Sequence, residues 1–198
     1  MKFVLATQNP KKLTEMSAIL GELGVEVVSE ADLGVKIEVE ETGETFAENS
    51  LLKARAVMEA TKLPAIADDS GLCVDALNGG PGVYSARFGG EGLDDTGRYR
   101  LLLQMMHGQA DRRAHFHTTI TCAFPNGDVL QDDGEVGGTI AFAPMGENGF
   151  GYDPVFFVPD KRKTFAQLSA EEKAEISHRG KALRAFKETL KNYLAEHQ

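Results

Sequence analysis

Phe3-Val4-Leu5-Ala6-Thr7-Gln8-Asn9-Pro10-Lys11-Lys12 passes from an apolar run straight into a helix start. Phe3 to Ala6 reads as a buried strand. Asn9 supplies a side-chain oxygen to cap a helix, and Pro10 fits its first position, where the missing N–H costs nothing. Leu13, Met16, Ile19, Leu20 and Leu23 recur at helical spacing, and Gly24 suits the stop. A short strand at Val25 to Val28 follows, then an acidic stretch: Glu22 to Glu48 holds nine carboxylates and one lysine. A strand delivering the chain to a helix N-terminus is the opening unit of an α/β fold.

Outward from that unit the pattern continues. Thr45 and Glu48 make a capping box for a second helix reaching about Lys62. Pro64-Ala65-Ile66-Ala67 predicts a short strand that ends at Asp68-Asp69-Ser70-Gly71, with the glycine allowing a sharp turn before another strand starts at Leu72-Cys73-Val74. Residues 79–92 are glycine-rich and predict a long loop, with a helix following around Thr96 to Met106. From Ala114 to Phe124, Phe116, Thr118, Ile120, Cys122 and Phe124 alternate with His115, His117, Thr119 and Thr121, the period of a strand. Asn126-Gly127 predicts a hairpin turn returning through Val129 to Phe142. A second glycine-rich stretch, Gly146 to Gly151, precedes a strand at Val155 to Val158. Ser169 and Glu172 form another capping box. The last helix buries Leu183, Phe186, Leu190 and Leu194 after a break near Gly180. The expectation is α/β with a mixed sheet.

Composition bounds the partners. The chain has 198 residues, 42% hydrophobic and 26% charged, with a formal charge of −9. So acidic a chain is a poor candidate for non-specific binding to a nucleic-acid backbone, which requires a concentrated basic surface. A few placed cations and a metal suffice for a small phosphorylated ligand. No window approaches the roughly 20 apolar residues of a membrane-spanning helix, and the N-terminal apolar run is too short for a signal peptide. Cys73 and Cys122 have no spacing that suggests a disulfide framework or zinc site. A cytoplasmic protein with reduced thiols is expected.

Several residue groups could carry chemistry. Free N–H groups and a positive dipole let a helix start bind phosphate. Lys11 and Lys12 lie where cations are mildly unfavourable, so either they point into water or a polyphosphate reverses the sign. This is not a Walker A loop, because its glycines are missing. Asp68 and Asp69 are either ordinary turn acids or ligands for Mg²⁺, which takes hard oxygens from one or two carboxylates plus substrate phosphates. Glu40 and Glu41 could add a ligand from a separate loop. Lys53 lies one turn after Asn49 on the same helix face. Lys173 and Ser177-His178-Arg179-Gly180 form a further basic cluster, in which Arg179 suits a planar contact with a base edge or phosphate. Phe150 is placed for stacking or for packing back on the core. His115 and His117 share a strand face but lack a third ligand in sequence.

Six segments in order resemble the inosine/xanthosine triphosphate pyrophosphatase family: Ala6 to Lys12, Glu40 to Gly43, Ala67 to Gly71, Pro81 to Arg87, Gly149 to Pro154 and Ser177 to Gly180. Any one is weak, whereas all six together are specific and extend over nearly the whole chain. Gln8 departs from the glycine common there. The resemblance implies a single domain over residues 1–198, with an elongated mixed sheet flanked by helices in two lobes around a substrate cleft, usually dimeric. It implies a triphosphate-binding turn formed by Thr7, Gln8, Asn9, Pro10, Lys11 and Lys12, and Asp69 as proton acceptor and metal ligand beside Asp68. Ser70 is implied to contact substrate, Glu40 or Glu41 to be the second metal ligand, and Lys53 and Lys173 to be phosphate-side lysines. Phe150, Gly151, Tyr152, Asp153, His178 and Arg179 are implied to recognise the base. The implied reaction is Mg²⁺-dependent hydrolysis of ITP, dITP or XTP to the monophosphate and pyrophosphate. A pyrophosphatase for modified pyrimidine nucleotides and a non-catalytic nucleotide-binding module remain open.

Overall fold

The computed structural model describes residues 1–197. β1 (Lys2–Leu5) runs into α1 (Pro10–Gly21) as the opening stretch predicts. Asn9 is extended and its side chain accepts the Lys11 N–H, satisfying one of the donors that a helix start leaves unpaired. Gly24, with φ +70°, carries the chain into β2 (Glu26–Ser29), which pairs parallel to β1. α2 (Phe46–Thr61) is capped by Thr45, whose side chain accepts the Glu48 N–H. Glu48 turns its carboxylate to the Glu44 N–H instead of back to Thr45, so the reciprocal half of the expected box is replaced.

β3 (Ala65–Val74) departs from the sequence reading. It is one continuous strand, and Asp68-Asp69-Ser70-Gly71 lie inside it, not in a turn. Gly71 does not adopt the positive φ that a sharp glycine turn would need. The Thr118 hydroxyl donates to the Asp69 carbonyl at 3.1 Å, so backbone within the acidic segment is held by a neighbouring strand residue. β4 (Gly80–Pro81) pairs antiparallel with β3, and Gly82–Arg87 forms a 3-10 turn where a structureless loop is expected.

α3 (Asp95–Met105), β5 (Arg113–Ala123), β6 (Val129–Ile140), β7 (Phe156–Val158), β8 (Lys163–Thr164), α4 (Ala170–Ile176) and α5 (His178–Glu196) complete the chain. The sheet order is β2-β1-β3-β5-β6-β7-β8, with β4 off that path. The break before the last helix falls at Ser177, not at Gly180. Ser177 is extended and its hydroxyl accepts the Gly180 N–H at 3.0 Å, which puts Gly180 in the first turn of α5.

The chain divides into two compact units, one of residues 1–69, 118–134 and 181–197, the other of residues 70–117 and 135–180. In the first, strand alternation decides which helix each side chain meets. Phe3, Leu5, Ile66 and Ile120 pack with Met16 and Leu20 of α1 and with Leu183, Phe186 and Leu190 of α5. Val4 and Ala65 pack with Val57 of α2, and Ala67 packs with Ala54 of the same helix. Each large side chain so buried contributes about 1.5–3 kcal/mol. The second unit has its own core of Leu72, Val74, Leu102, Met106, Phe116, Phe156 and Phe165. Among the described residues no helix is long and apolar enough to cross a membrane.

Candidate active site

The same alternation places the acids of β3. Ile66 faces α1, so Asp68, two residues on, faces α1 as well; Ala65 and Ala67 face α2, and so does Asp69. Lys12 in the first turn of α1 meets Asp68 at 2.6 Å, while Lys53 of α2 lies 3.7 Å from Asp69 and 2.7 Å from Glu41. Two adjacent carboxylates are thus shared between two helices, each with its own lysine.

Asp69 is only 8% exposed, and its Oδ2 is buried with no hydrogen-bond partner among the described residues. Burial pushes its carboxyl up to about 6; the Lys53 charge opposes this, and the Glu41 and Asp68 charges add to it. The Asn49 carboxamide pulls the other way without closing a regular hydrogen bond. For Lys53 burial acts downward, but attraction to Asp69, Glu41 and Asp68 outweighs it and leaves the ammonium above its usual value.

The turn between β1 and α1 borders this cluster. Ala6 N–H bonds the Ile66 carbonyl at 2.8 Å, and the Thr7 hydroxyl accepts the Asn9 N–H at 3.2 Å. A cavity of about 390 Å³ opens here, lined by Thr7, Gln8, Lys12, Lys36, Lys53 and Asp68 among others. Lys11 is exposed, as is Glu40, whereas Glu41 is drawn in by Lys53. The two glutamates that sequence leaves equivalent are therefore distinguished.

The residues fit a hard divalent cation. Asp69 offers an unpaired buried oxygen, and Glu41 and Asp68 raise its carboxyl by charge, a repulsion that a cation relieves. Among the described residues no three His, Cys, Asp or Glu side chains converge into a closed metal cage. That suits a metal held by one or two carboxylates and completed by water and phosphate, not a structural zinc.

The second unit gathers a different set. Gly149 and Gly151 take left-handed φ of +75° and +59°, and a Cβ on Gly149 would fall 2.0 Å from an Asp153 oxygen. Phe150 N–H donates to Asp153 Oδ2 at 3.1 Å, and Lys173 Nζ meets the same oxygen at 2.6 Å. Asp153 is buried, which pushes its carboxyl up against the opposing pull of Lys173. Phe150 stays 42% exposed, with Lys173 Nζ 4.8 Å and Arg179 Cζ 5.7 Å from its ring centre. His178 stacks on Phe116 at 4.8 Å, and Arg179 Nε is buried without a hydrogen-bond partner among the described residues.

Two placements differ from the sequence expectation. Lys173, expected beside phosphate, is engaged by Asp153 under the Phe150 loop. Tyr152 is buried, with its hydroxyl donating to the Ser85 carbonyl at 2.6 Å, so it holds the loop and does not present its ring. Asp95, which sequence reasoning missed, accepts the Gly151 N–H at 2.9 Å. Its only signal was its position after Asp94, the cap of α3, whose side chain accepts the Gly97 N–H. His115 and His117 lie 3.9 and 3.5 Å from Glu135, outside both groups.

The Ham1 family profile matches residues 3–189. The chain belongs to the Ham1 family. The dITP/XTP pyrophosphatase of Thermus thermophilus is 51% identical over 97% of this chain and 93% of its own. The dITP/XTP pyrophosphatase of Escherichia coli is 47% identical over 96% of this chain and 98% of its own. The Ham1 protein structure of Staphylococcus aureus superposes with a TM-score of 0.92 at 42% identity, covering 98% of this chain and all of that one. The mixed α/β architecture is thus that of Ham1 proteins.

Proposed function

We infer that this Ham1 chain hydrolyses noncanonical purine nucleoside triphosphates, ITP, dITP and XTP, to the nucleoside monophosphate and pyrophosphate, keeping them out of DNA and RNA. The observation that carries the reading is Asp69: a buried carboxylate with an oxygen unpaired among the described residues, flanked by Lys53 and Glu41. Such an oxygen is placed to take a proton from water. Plain nucleotide binding has no use for it.

Phosphate chemistry is assigned to the first unit. The α1 N-terminus, with Thr7, Gln8, Asn9, Pro10 and Lys11, offers N–H groups and positive potential to the triphosphate. Lys12 and Lys53 hold the leaving pyrophosphate; Ser70, the first residue of the second unit, contacts substrate. Water attacks the α-phosphorus, the bond to the bridging oxygen breaks, and Asp69 takes the proton. Asp68 fixes Lys12 at 2.6 Å and by its charge keeps Asp69 basic. Mg²⁺ held by Asp69 and Glu41 would neutralise charge developing on the phosphates.

Base recognition is assigned to the second unit. Phe150 offers a stacking face, and Gly151 the backbone freedom behind it. Arg179, beside His178, offers donors to the 6-oxo group that inosine and xanthosine carry and adenosine lacks. A buried donor left unpaired by the wrong base discriminates strongly. Asp153, Lys173 and Tyr152 hold the loop. We further propose a cytoplasmic homodimer that binds no nucleic acid, which sedimentation and a DNA-binding assay test.

Pyrophosphate release from ITP, XTP, dITP, ATP, GTP and dUTP, with and without Mg²⁺, tests the function. Metal-dependent release from the first three is expected. Release from dUTP alone would indicate a pyrimidine enzyme, and release from none a nucleotide-binding module.

A further inference from the structure

We propose that Asn49 is a positioning residue for this reaction: one end of its buried carboxamide fixes the loop that carries Glu41, and the other is a free donor offered to Asp69. The proposal rests on the functional reading above. Asn49 lies in α2 one turn before Lys53, completely buried, and its own N–H is used by the Thr45 carbonyl. Its Oδ1 accepts the Gly43 N–H at 2.7 Å, two residues beyond Glu41. A Cβ on Gly43 would sit 2.7 Å from that same Oδ1 and 2.7 Å from the Glu48 Cβ. Gly43 has no positive φ, so glycine is needed there for close approach and not for backbone freedom. The Glu41 loop is thus drawn onto the Asn49 side chain as tightly as backbone allows.

The other end of the carboxamide carries the argument further. Asn49 Nδ2 is buried and has no hydrogen-bond partner among the described residues, although a packing position would favour an apolar side chain. Asp69 Oδ2 is a buried acceptor in the same condition, and the Asn49 amide acts on the Asp69 carboxyl, favouring its charged form. An unpaired donor and an unpaired acceptor in one cluster are complementary. Asn49 therefore fixes Glu41 through Gly43 and offers its free amide to Asp69, both from a single rigid helix position. Residues of this kind behind a metal-binding or reacting group typically change activity about 10- to 100-fold when removed.

Three variants test it: Asn49→Ala, Asn49→Asp and Gly43→Ala, each checked for folding by circular dichroism. The readouts are amide exchange over residues 41–44 without substrate, and kcat and KM for ITP at saturating Mg²⁺. Asn49→Ala and Gly43→Ala are expected to speed exchange at least about tenfold and to lower kcat about 10- to 100-fold, with KM within about threefold. Asn49→Asp keeps an acceptor for Gly43, so it retains exchange protection while still losing kcat. Wild-type kcat in either Asn49→Ala or Asn49→Asp would overturn the proposal, and so would unchanged exchange in Asn49→Ala. Exchange is read without turnover, so it decides the clamp even if the unmodified chain hydrolysed no nucleotide, a result that would refute the functional reading alone.

Discussion

Replacing Asp69 by Asn should make the protein more stable at alkaline pH while abolishing turnover. Burial moves the Asp69 carboxyl from its ordinary value of 3.8 to about 6, with Lys53 opposing the shift. The folded state thus binds this proton more tightly than the unfolded chain. The favourable contribution is complete below about pH 4 and is lost as pH rises through about 6. At 1.36 kcal/mol per pH unit the gap corresponds to about 3 kcal/mol at most, and incomplete desolvation lowers it to about 1–3 kcal/mol. Asn keeps the shape and avoids the buried charge. Urea unfolding with chelator present should show Asp69→Asn more stable than wild type by that amount at pH 8 and equal to it at pH 4. A destabilised variant at pH 8, or the same difference at both pH values, would show that no buried Asp69 charge is relieved.

Other parts of the structure give further expectations. Lys173→Met strands the buried Asp153 carboxylate and should cost about 3–5 kcal/mol, most of it recovered by adding Asp153→Asn; thermal unfolding of the single and double variants checks this. Arg112 donates to the carbonyls of Met106, Ile140 and Ala141 at 2.7–3.0 Å, so Arg112→Ala should cost about 2–4 kcal/mol in urea unfolding. Asp95→Ala removes the bond to Gly151, worth about 1 kcal/mol, and should raise KM for ITP roughly fivefold with little change in kcat.

How much of this was legible in sequence depended on distance along the chain. The turn from β1 into α1 was read correctly because its determinants, Asn9 and Pro10, act on adjacent backbone. The acids of β3 look like a turn in sequence because Asp and Gly disfavour strands locally, whereas pairing within the sheet overrides that preference. The difference has a chemical consequence: the strand sends Asp68 to Lys12 and Asp69 to Lys53. Lys173 was identified as a site lysine, yet its partner Asp153 lies 20 residues away, and no local pattern announces that pair. Likewise nothing near Glu40 and Glu41 separates them; the contact with Lys53 does. The helical spacing of Asn49 and Lys53 was visible, but the bond from Gly43 to Asn49 was not.

Phosphorus NMR of the products formed from ITP with Mg²⁺ reads which phosphoanhydride bond of a 6-oxopurine triphosphate is cleaved. IMP and pyrophosphate in equal amounts from the first turnovers are expected; IDP and orthophosphate, or no reaction, would rule out cleavage between the α- and β-phosphates.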